Sequence, residues 1–422
     1  MSGIDKHFLE GKTIVVAGGG IAGSAFVVGL RKLWDPALRP PTVIILERDS
    51  EDVSRQREGY SLSLSGRDKT GGLAALKQLG LLDNVIEKAV SGTDGKGAFK
   101  IWGPDWTEKI SLTPKPMAGL PASSIRVARK ELRQVLHDAA TCSDSNPIRW
   151  ETQCIAAARL DNGRVRVTVQ SGVDGSQQDQ ECDLLVVADG ASSKLRANLR
   201  PEEKLQYAGA ILRGGLARFE QTMPEALGDD WGFQLAGDGV SCFYSPVDER
   251  SVVWAVGHME PDQVPSFDPA CEKSAEKVIA RARELGSLLH EPFNTIVDHT
   301  VPGTVMCLNA RDKMPFAHED DLDKIPAVFI GDSNHALSPF AGYGANLALN
   351  DGWDLAEQLC KNGTTSLKQA VKAYDAVSMP RAAGVVKASR KRLIMGHSTG
   401  FRLWIFFLLL AVGKFVGLIL RR

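Results

Sequence analysis

Thr13-Ile14-Val15-Val16-Ala17-Gly18-Gly19-Gly20-Ile21-Ala22-Gly23 runs a β-branched apolar stretch straight into Gly18-x-Gly20-x-x-Gly23, and an apolar helical pattern continues from Ser24 to Leu33. This reads as strand, tight turn and helix. Gly18 takes the backbone angles of the turn. Gly20 lets main chain approach a pyrophosphate, and Gly23 lets the helix pack close to the strand. The pyrophosphate would sit on free N–H groups at the positive end of the helix. A second apolar strand, Thr42-Val43-Ile44-Ile45-Leu46, ends in Glu47. Its carboxylate stands where a ribose diol would be gripped, roughly twenty residues after the last glycine.

The 422 residues exceed one ordinary core, so two domains are expected. Charge is nearly balanced, 50 basic against 51 acidic residues, which leaves no broad basic field for nucleic acid. The 7 cysteines are scattered without a Cys-x-x-Cys, which argues for a reducing, intracellular compartment and against a zinc site or disulfide framework. No metal-ligand spacing and no Gly-x-Ser-x-Gly elbow is found, and Met1 to Lys6 carries no apolar signal core.

Further along, Ile148 to Thr152, Ile155 to Leu160 and Val165 to Gln170 read as a β-meander, with Asp161-Asn162-Gly163 as a hairpin turn. A buried strand, Leu184 to Ala188, ends at Asp189-Gly190. The stretch from Tyr207 to His258 is strongly β, and a helix of about Ala270 to Leu285 follows. A last buried strand, Ala327 to Ile330, delivers Asp332 to the carboxyl edge of a parallel sheet, where ligands bind. A carboxylate there accepts hydrogen bonds from sugar or ribityl hydroxyls. Pro339, Gly342 and Gly344 shape a turn before a helix from Asn346 to Gln358, whose N-terminus would stabilise negative charge on a ligand. Nucleotide-binding pieces thus lie at the start, middle and end, with a sheet-rich insertion between the last two. The fold class expected is α/β: a three-part Rossmann-like domain with an inserted mixed β-sheet substrate domain and a C-terminal helical tail.

The glycines with Glu47, then Asp183 through Gly190 with Ser193 and Arg196, then Gly331-Asp332 through Asn346, resemble the three fingerprints of the single-component FAD monooxygenases. These are the para-hydroxybenzoate and salicylate hydroxylase-like enzymes, with fungal natural-product and tetracycline-inactivating monooxygenases among them. The resemblance covers about Lys12 to Tyr374. It implies non-covalent FAD, with NADPH or NADH as transient co-substrate. Glu47 would hold the adenosine ribose, and Arg129, in Arg129-x-x-Leu132, would sit by the diphosphate and ribityl chain. Asp332 would contact ribityl and pyrophosphate, and Gly344, Ala345 and Asn346 would cap the pyrimidine edge of the ring. Asp189, with Arg196, is tied to FAD and NADPH together, and Arg57 and Gly59 lie where the family's mobile flavin region begins. The domains expected are 1–97, 122–205 and 301–375 for FAD, 98–121 and 206–300 for substrate, and 376–422 for C-terminal helices.

The activity implied is transfer of one oxygen from O2, through a flavin C4a-(hydro)peroxide, to a small lipophilic aromatic or terpenoid molecule in secondary metabolism. The protein's task is to keep the site dry and hold the substrate. Arg213, in Leu212-Arg213-Gly214-Gly215, is the residue expected to face flavin or substrate, whereas His258 and His335 are expected to be structural. Trp231, Phe233, Phe243, Tyr244 and Trp254 crowd the inserted sheet. Alternation puts Phe243 and Tyr244 on opposite faces, without saying which lines a pocket. Two other readings stay open: an FAD-dependent reductase of a prenyl-type lipid, and a membrane-attached flavoprotein without turnover. A halogenase is disfavoured because Trp-x-Trp-x-Ile-Pro is absent. Finally, Leu403 to Leu420 is nearly all apolar, broken by Lys414 and flanked by basic residues. About 27 Å of helix is marginal for a bilayer core. The expectation is a shallow in-plane anchor over 401–422, with packing on the protein's own surface as the alternative.

Overall fold

The computed structural model describes residues 7–56, 60–93, 95–142, 148–265, 267–268, 271–319, 321–338, 340, 342–361 and 363–408. Arg57, Gly59, Pro339 and the tail from residue 409 on, Lys414 included, lie outside the described residues.

The glycine motif opens a five-stranded sheet in the order Ala327–Phe329, Leu184–Val187, Thr13–Ala17, Thr42–Leu46, Ile148–Arg149. Every pairing is parallel. Ile14, Val15, Val16, Val186 and Val187 are all fully buried. That is why these strands read as unbroken apolar runs: a parallel sheet is covered on both faces. Ile14, Val16 and Val186 pack with helices Ile21–Leu33 and Gly344–Cys360. Val15, Ala17, Leu185 and Val187 pack on the antiparallel meander Thr152–Arg159, Val165–Ser171, Gln177–Cys182. The meander differs from the expected one. Ile148–Arg149 joins the parallel sheet, and the third strand is the polar Gln177–Cys182, a run of Gln, Asp and Glu up to the buried Cys182 that carries no strand-like pattern.

A second sheet has seven strands, in the order Met306–Asp312, Gln206–Arg218, Ser251–Met259, Val240–Asp248, Trp231–Leu235, Phe99–Trp102, Glu108–Leu112. This sheet therefore includes the stretch near residue 100 and also runs past residue 300. Met306–Asp312 pairs with Gln206–Arg218, so it belongs to this sheet and not to the third FAD segment. As an edge strand it is only partly buried, which blurs its alternation.

The register sorts this sheet into two faces. Leu212, Gly214 and Leu216 align with Gly257, Ala255 and Val253, and these with Ser241, Phe243 and Ser245. This face meets the first domain: Leu212 and Ala255 pack with Phe340, and Leu216 and Val253 with Ala128. The opposite face carries Tyr244, Trp254 and Val256, buried against helices Glu272–Leu285 and Phe293–Asp298 as ordinary core.

Between the two large sheets lies a small one, Ser61–Ser65, Ser124–Ala128, Ala89–Ser91. Its Leu64, Ile125 and Val127 enter the main core. Ser61, Ser63 and Ser65 lie opposite Ala128, Arg126 and Ser124. They give the face turned to the second sheet a polar character, and Ser61 Oγ stands 2.5 Å from Ser245 Oγ.

One helix, Leu367–Gly396, crosses the boundary expected at 376, with Pro380 inside it. Val371 and Tyr374 sit in the core of the first domain, and Leu393 packs with Leu212 and Phe340. Among the described residues, no helix is long and apolar enough to cross a membrane. Residues 400–408 are helical. Leu403, Phe406 and Phe407 pack on Ile101, Ile110 and Leu235 of the second sheet. Phe401, Trp404, Ile405 and Leu408, at helical spacing, form an exposed apolar stripe. The start of the tail thus does pack on the protein, by one face only.

Candidate functional site

The carboxyl ends of three neighbouring parallel strands, Thr13–Ala17, Leu184–Val187 and the outermost Ala327–Phe329, bring Gly18, Asp189 and Asp332 to one edge. Gly18 has φ +105°, and a Cβ there would stand 2.4 Å from the Ala188 carbonyl oxygen. A Cβ on Gly23 would stand 2.1 Å from the Gly18 oxygen and 3.0 Å from Val16. Gly20 is different: among the described residues, nothing lies within 4 Å of its Cβ position. The same open space exists at Gly190, Gly342 and Gly344. Helices Ile21–Leu33 and Gly344–Cys360 both begin without a side-chain cap. A Cβ on Gly352 would stand 2.6 Å from Phe26 N and one on Gly29 3.0 Å from Ala356 Cβ, so the two helices lie in close contact and run parallel. Their uncapped amides and positive ends lie on the same side of the sheet.

Glu47 is buried and uses both carboxylate oxygens: one accepts from Gly19 N at 3.0 Å, the other from Asp49 N at 3.1 Å. Arg133 stands 3.7 Å from it. Behind the turn, the buried His137 ring hydrogen-bonds the Gly19 carbonyl oxygen, and burial pushes its pKa down.

Asp189 accepts from Leu195 N through Oδ2, while its buried Oδ1 has no partner among the described residues. Burial raises its pKa. Asp332 also has its pKa raised by burial, against the pull of His335, Arg129 and Arg196. Among the described residues its carboxylate accepts no hydrogen bond. Arg196 does not pair with it; its guanidinium donates to the carbonyls of Ser333, Asp332 and Ala191. Half-buried Arg129 opens helix Arg129–Thr141 beside Asp332.

Asn346 is fully buried, and its side chain is already engaged. Its Oδ1 accepts from Ser65 N at 2.8 Å and Gly72 N at 2.7 Å, and its Nδ2 donates to Ser63 O at 2.8 Å. Only its backbone and those of Gly344 and Ala345 remain to meet a ligand.

Two buried networks hold this edge in place, and the sequence shows neither. Asp351 Oδ2 accepts from Gly331 N at 2.8 Å and lies 2.6 Å from His335 Nε2, and its Oδ1 accepts from Arg381 at 2.9 Å. Arg381 also meets Asp354 at 2.6 Å. The charges of His335 and Arg381 hold the Asp351 carboxyl well below the usual range even though burial opposes them, and Asp351 raises His335. His335 is thus a structural residue. In the second network, His318 Nε2 accepts from Phe329 N at 2.9 Å, so the ring proton sits on Nδ1, which donates to Asp375 at 2.7 Å. Asp351 and Asp375 lie on helices remote in sequence from their partners, and a helical Asp gives no signal of this kind.

Arg213, expected to face flavin or substrate, stands apart from this glycine edge. Arg213 lies opposite Val256, on the sheet face turned away from the first domain, and pairs with Glu260 at 2.8 Å. The position that faces inward beside it is Gly214, where a Cβ would stand 2.0 Å from the Trp254 carbonyl oxygen. His258 lies 3.7 Å from the same Glu260.

These residues fit a dinucleotide-type flavin. The glycine positions leave an open trough, two uncapped helix ends face it, and two carboxylates line it with acceptor capacity unused. Comparisons agree. Residues 13–262 and 320–389 match the FAD binding domain family. The chain is 42% identical over 398 residues to a monooxygenase, cfoF, of Aspergillus candidus, covering 93% of each chain. It is 26% identical to a chloroplastic zeaxanthin epoxidase from an Oncidium hybrid cultivar, spanning 91% of this chain and about half, 55%, of that relative. Its fold matches Klebsiella pneumoniae HpxO complexed with FAD and uric acid, with a TM-score of 0.70, 20% identity, and 96% of this chain and 94% of that chain covered. The chain therefore belongs to the FAD-binding monooxygenase family.

Proposed function

We infer that the protein is an FAD-dependent monooxygenase that consumes NAD(P)H and O2 and oxygenates a small apolar molecule held between the two large sheets. The observation that carries this reading is the open glycine trough at the edge where Asp189 and Asp332 converge. FAD bound there supplies the redox chemistry that activates O2. The chain's own residues bind, orient and exclude water. The amides of Gly20 and Ile21 take the pyrophosphate, with the Gly19 amide held by Glu47. Glu47 holds the adenosine end, Arg129 and Asp332 the middle, and the first turn of Gly344–Cys360 the ring's polar edge. Arg57, Gly59 and Pro339 remain family-based assignments. Phe233 and Phe243, 5.0 Å apart on the inward face, supply an apolar wall.

Secondary metabolism is the setting suggested by the likeness to the Aspergillus candidus enzyme. A lipophilic aromatic or terpenoid substrate fits the aromatic inward wall. The test is product mass under labelled O2 with candidate substrates. One labelled oxygen per product, with NAD(P)H consumed, is expected. Label-free product, or equal turnover without O2, refutes the reading and favours a reductase.

The tail supplies a second expected result. The stripe Phe401, Trp404, Ile405 and Leu408, with Arg402 beside it, suits an in-plane contact with an anionic bilayer surface. Removal of the whole tail would uncover Ile101, Ile110 and Leu235, so substitution is the cleaner probe. Replacing all four stripe residues by Ser should leave FAD content unchanged and abolish sedimentation with phosphatidylserine vesicles. Unchanged sedimentation, or none by the parent protein, counts against attachment.

A further inference from the structure

Arg126 is 3% exposed, on the small sheet's strand Ser124–Ala128. Its Nη2 does all of its hydrogen bonding: to Ser61 O at 2.7 Å, to Ser61 Oγ at 2.8 Å and to Ser245 Oγ. Its Nε is buried with no partner, and Nη1 makes no hydrogen bond among the described residues. No carboxylate among the described residues pairs with it. The other buried arginines behave differently. Arg133 lies between Glu47 and Asp49, Arg381 between Asp351 and Asp354, Arg213 meets Glu260, and Arg196 is spread over three carbonyls. Burial without a counter-charge pushes the Arg126 pKa down to about 9.

An uncompensated buried guanidinium is strongly unfavourable. Its surroundings are nevertheless built to hold it. Ser61 and Ser245 fix the fork from two different sheets, and the ring of Phe243 lies 5.9 Å from its Cζ. Across the strand is Ser63, whose carbonyl accepts from Asn346 in the first turn of Gly344–Cys360. The unused donors thus sit at the seam between the two large sheets, near the helix end assigned to the flavin and against the aromatic inward wall.

We propose that Arg126 is the anion anchor of the substrate pocket, taking a carboxylate, phenolate or enolate oxygen of an otherwise apolar substrate. Ser61 and Ser245 act as positioning residues for the guanidinium. The proposal rests on the monooxygenase reading and narrows its substrate class to acids and ionisable enols or phenols. A planar fork with free N–H groups matches such an oxygen, and a charge-assisted bond in a dry site is strong.

The experiment titrates FAD-loaded full-length protein with 2-naphthoate and with its neutral counterpart 2-naphthamide, following the flavin absorbance change. The acid should bind at least about tenfold more tightly than the amide, the loss expected for one charge-assisted contact. Arg126→Met should erase that preference while FAD per chain stays at the parent level. Ser245→Ala, a milder change, should weaken naphthoate severalfold and leave naphthamide unchanged. Equal affinities in the parent protein overturn the proposal. So does unchanged naphthoate binding in Ser245→Ala or in folded Arg126→Met. A parent protein that stays colourless with added FAD overturns the monooxygenase reading itself, and this is seen before any probe is added.

Discussion

Asp332→Ala should lose bound FAD, and Glu47→Ala should lose much less of it. Asp332 offers a carboxylate that no described protein group uses, just past the end of strand Ala327–Phe329 and beside Arg129 and Arg196. Burial works against its charge, so hydroxyl or amide donors on a ligand are its natural partners. A hydrogen bond to a charged group of this kind is worth ~1.5–3 kcal/mol, or about ten- to a hundredfold in Kd. Glu47 already accepts from the Gly19 and Asp49 amides through its two oxygens, so less of its capacity is left for the adenosine end and its contact with the cofactor is the weaker one. The ratio of flavin to protein absorbance after gel filtration, followed by FAD titration of apo protein, gives both numbers. Equal occupancy in the two variants would count against placing Asp332 at the middle of the cofactor.

Asp351→Asn should be the most destabilising single change among the residues discussed. The carboxylate is fully buried and joins Gly331 N, His335 and Arg381. Removing its charge leaves two buried cations short of a partner, a loss of about 3–5 kcal/mol. The pH dependence follows from the two shifts. Asp351 is depressed, so its stabilisation is present above the ordinary carboxylate range and is lost as pH falls through its folded value. His335 is raised, so its contribution is full below about pH 6.5 and is lost as pH rises through its folded value. Both contributions are complete between about pH 4 and 6.5. Urea midpoints across pH 4 to 9 should fall on the alkaline side for the parent protein. Asp351→Asn should lie lower throughout and flatten that slope. A variant of parental midpoint would show that the network contributes nothing net.

The first strand, its glycines and the neighbouring strand ending in Glu47 were legible from local chemistry. Only glycine fits a φ of +105° at Gly18 or a gap that closes to 2.1 Å at Gly23. The buried parallel strands announced themselves by being apolar on both faces, and so did the strand ends at Asp189 and Asp332. These properties reside in stretches of a few residues, which is why sequence alone determined the flavin-binding architecture and its family. Which face of the inserted sheet looks inward was decided by tertiary structure. Alternation defines two faces but not their neighbours, and one step of parity moved Arg213 to the outer face and put Gly214 inside. The same limit hid Arg126, whose partners Ser61 and Ser245 lie on separate strands and come together only when two sheets pack. It hid Asp351 too. A carboxylate on a helix looks solvated until the fold buries it beside His335 and Arg381, and burial is a property of the assembled core, not of the residues flanking it.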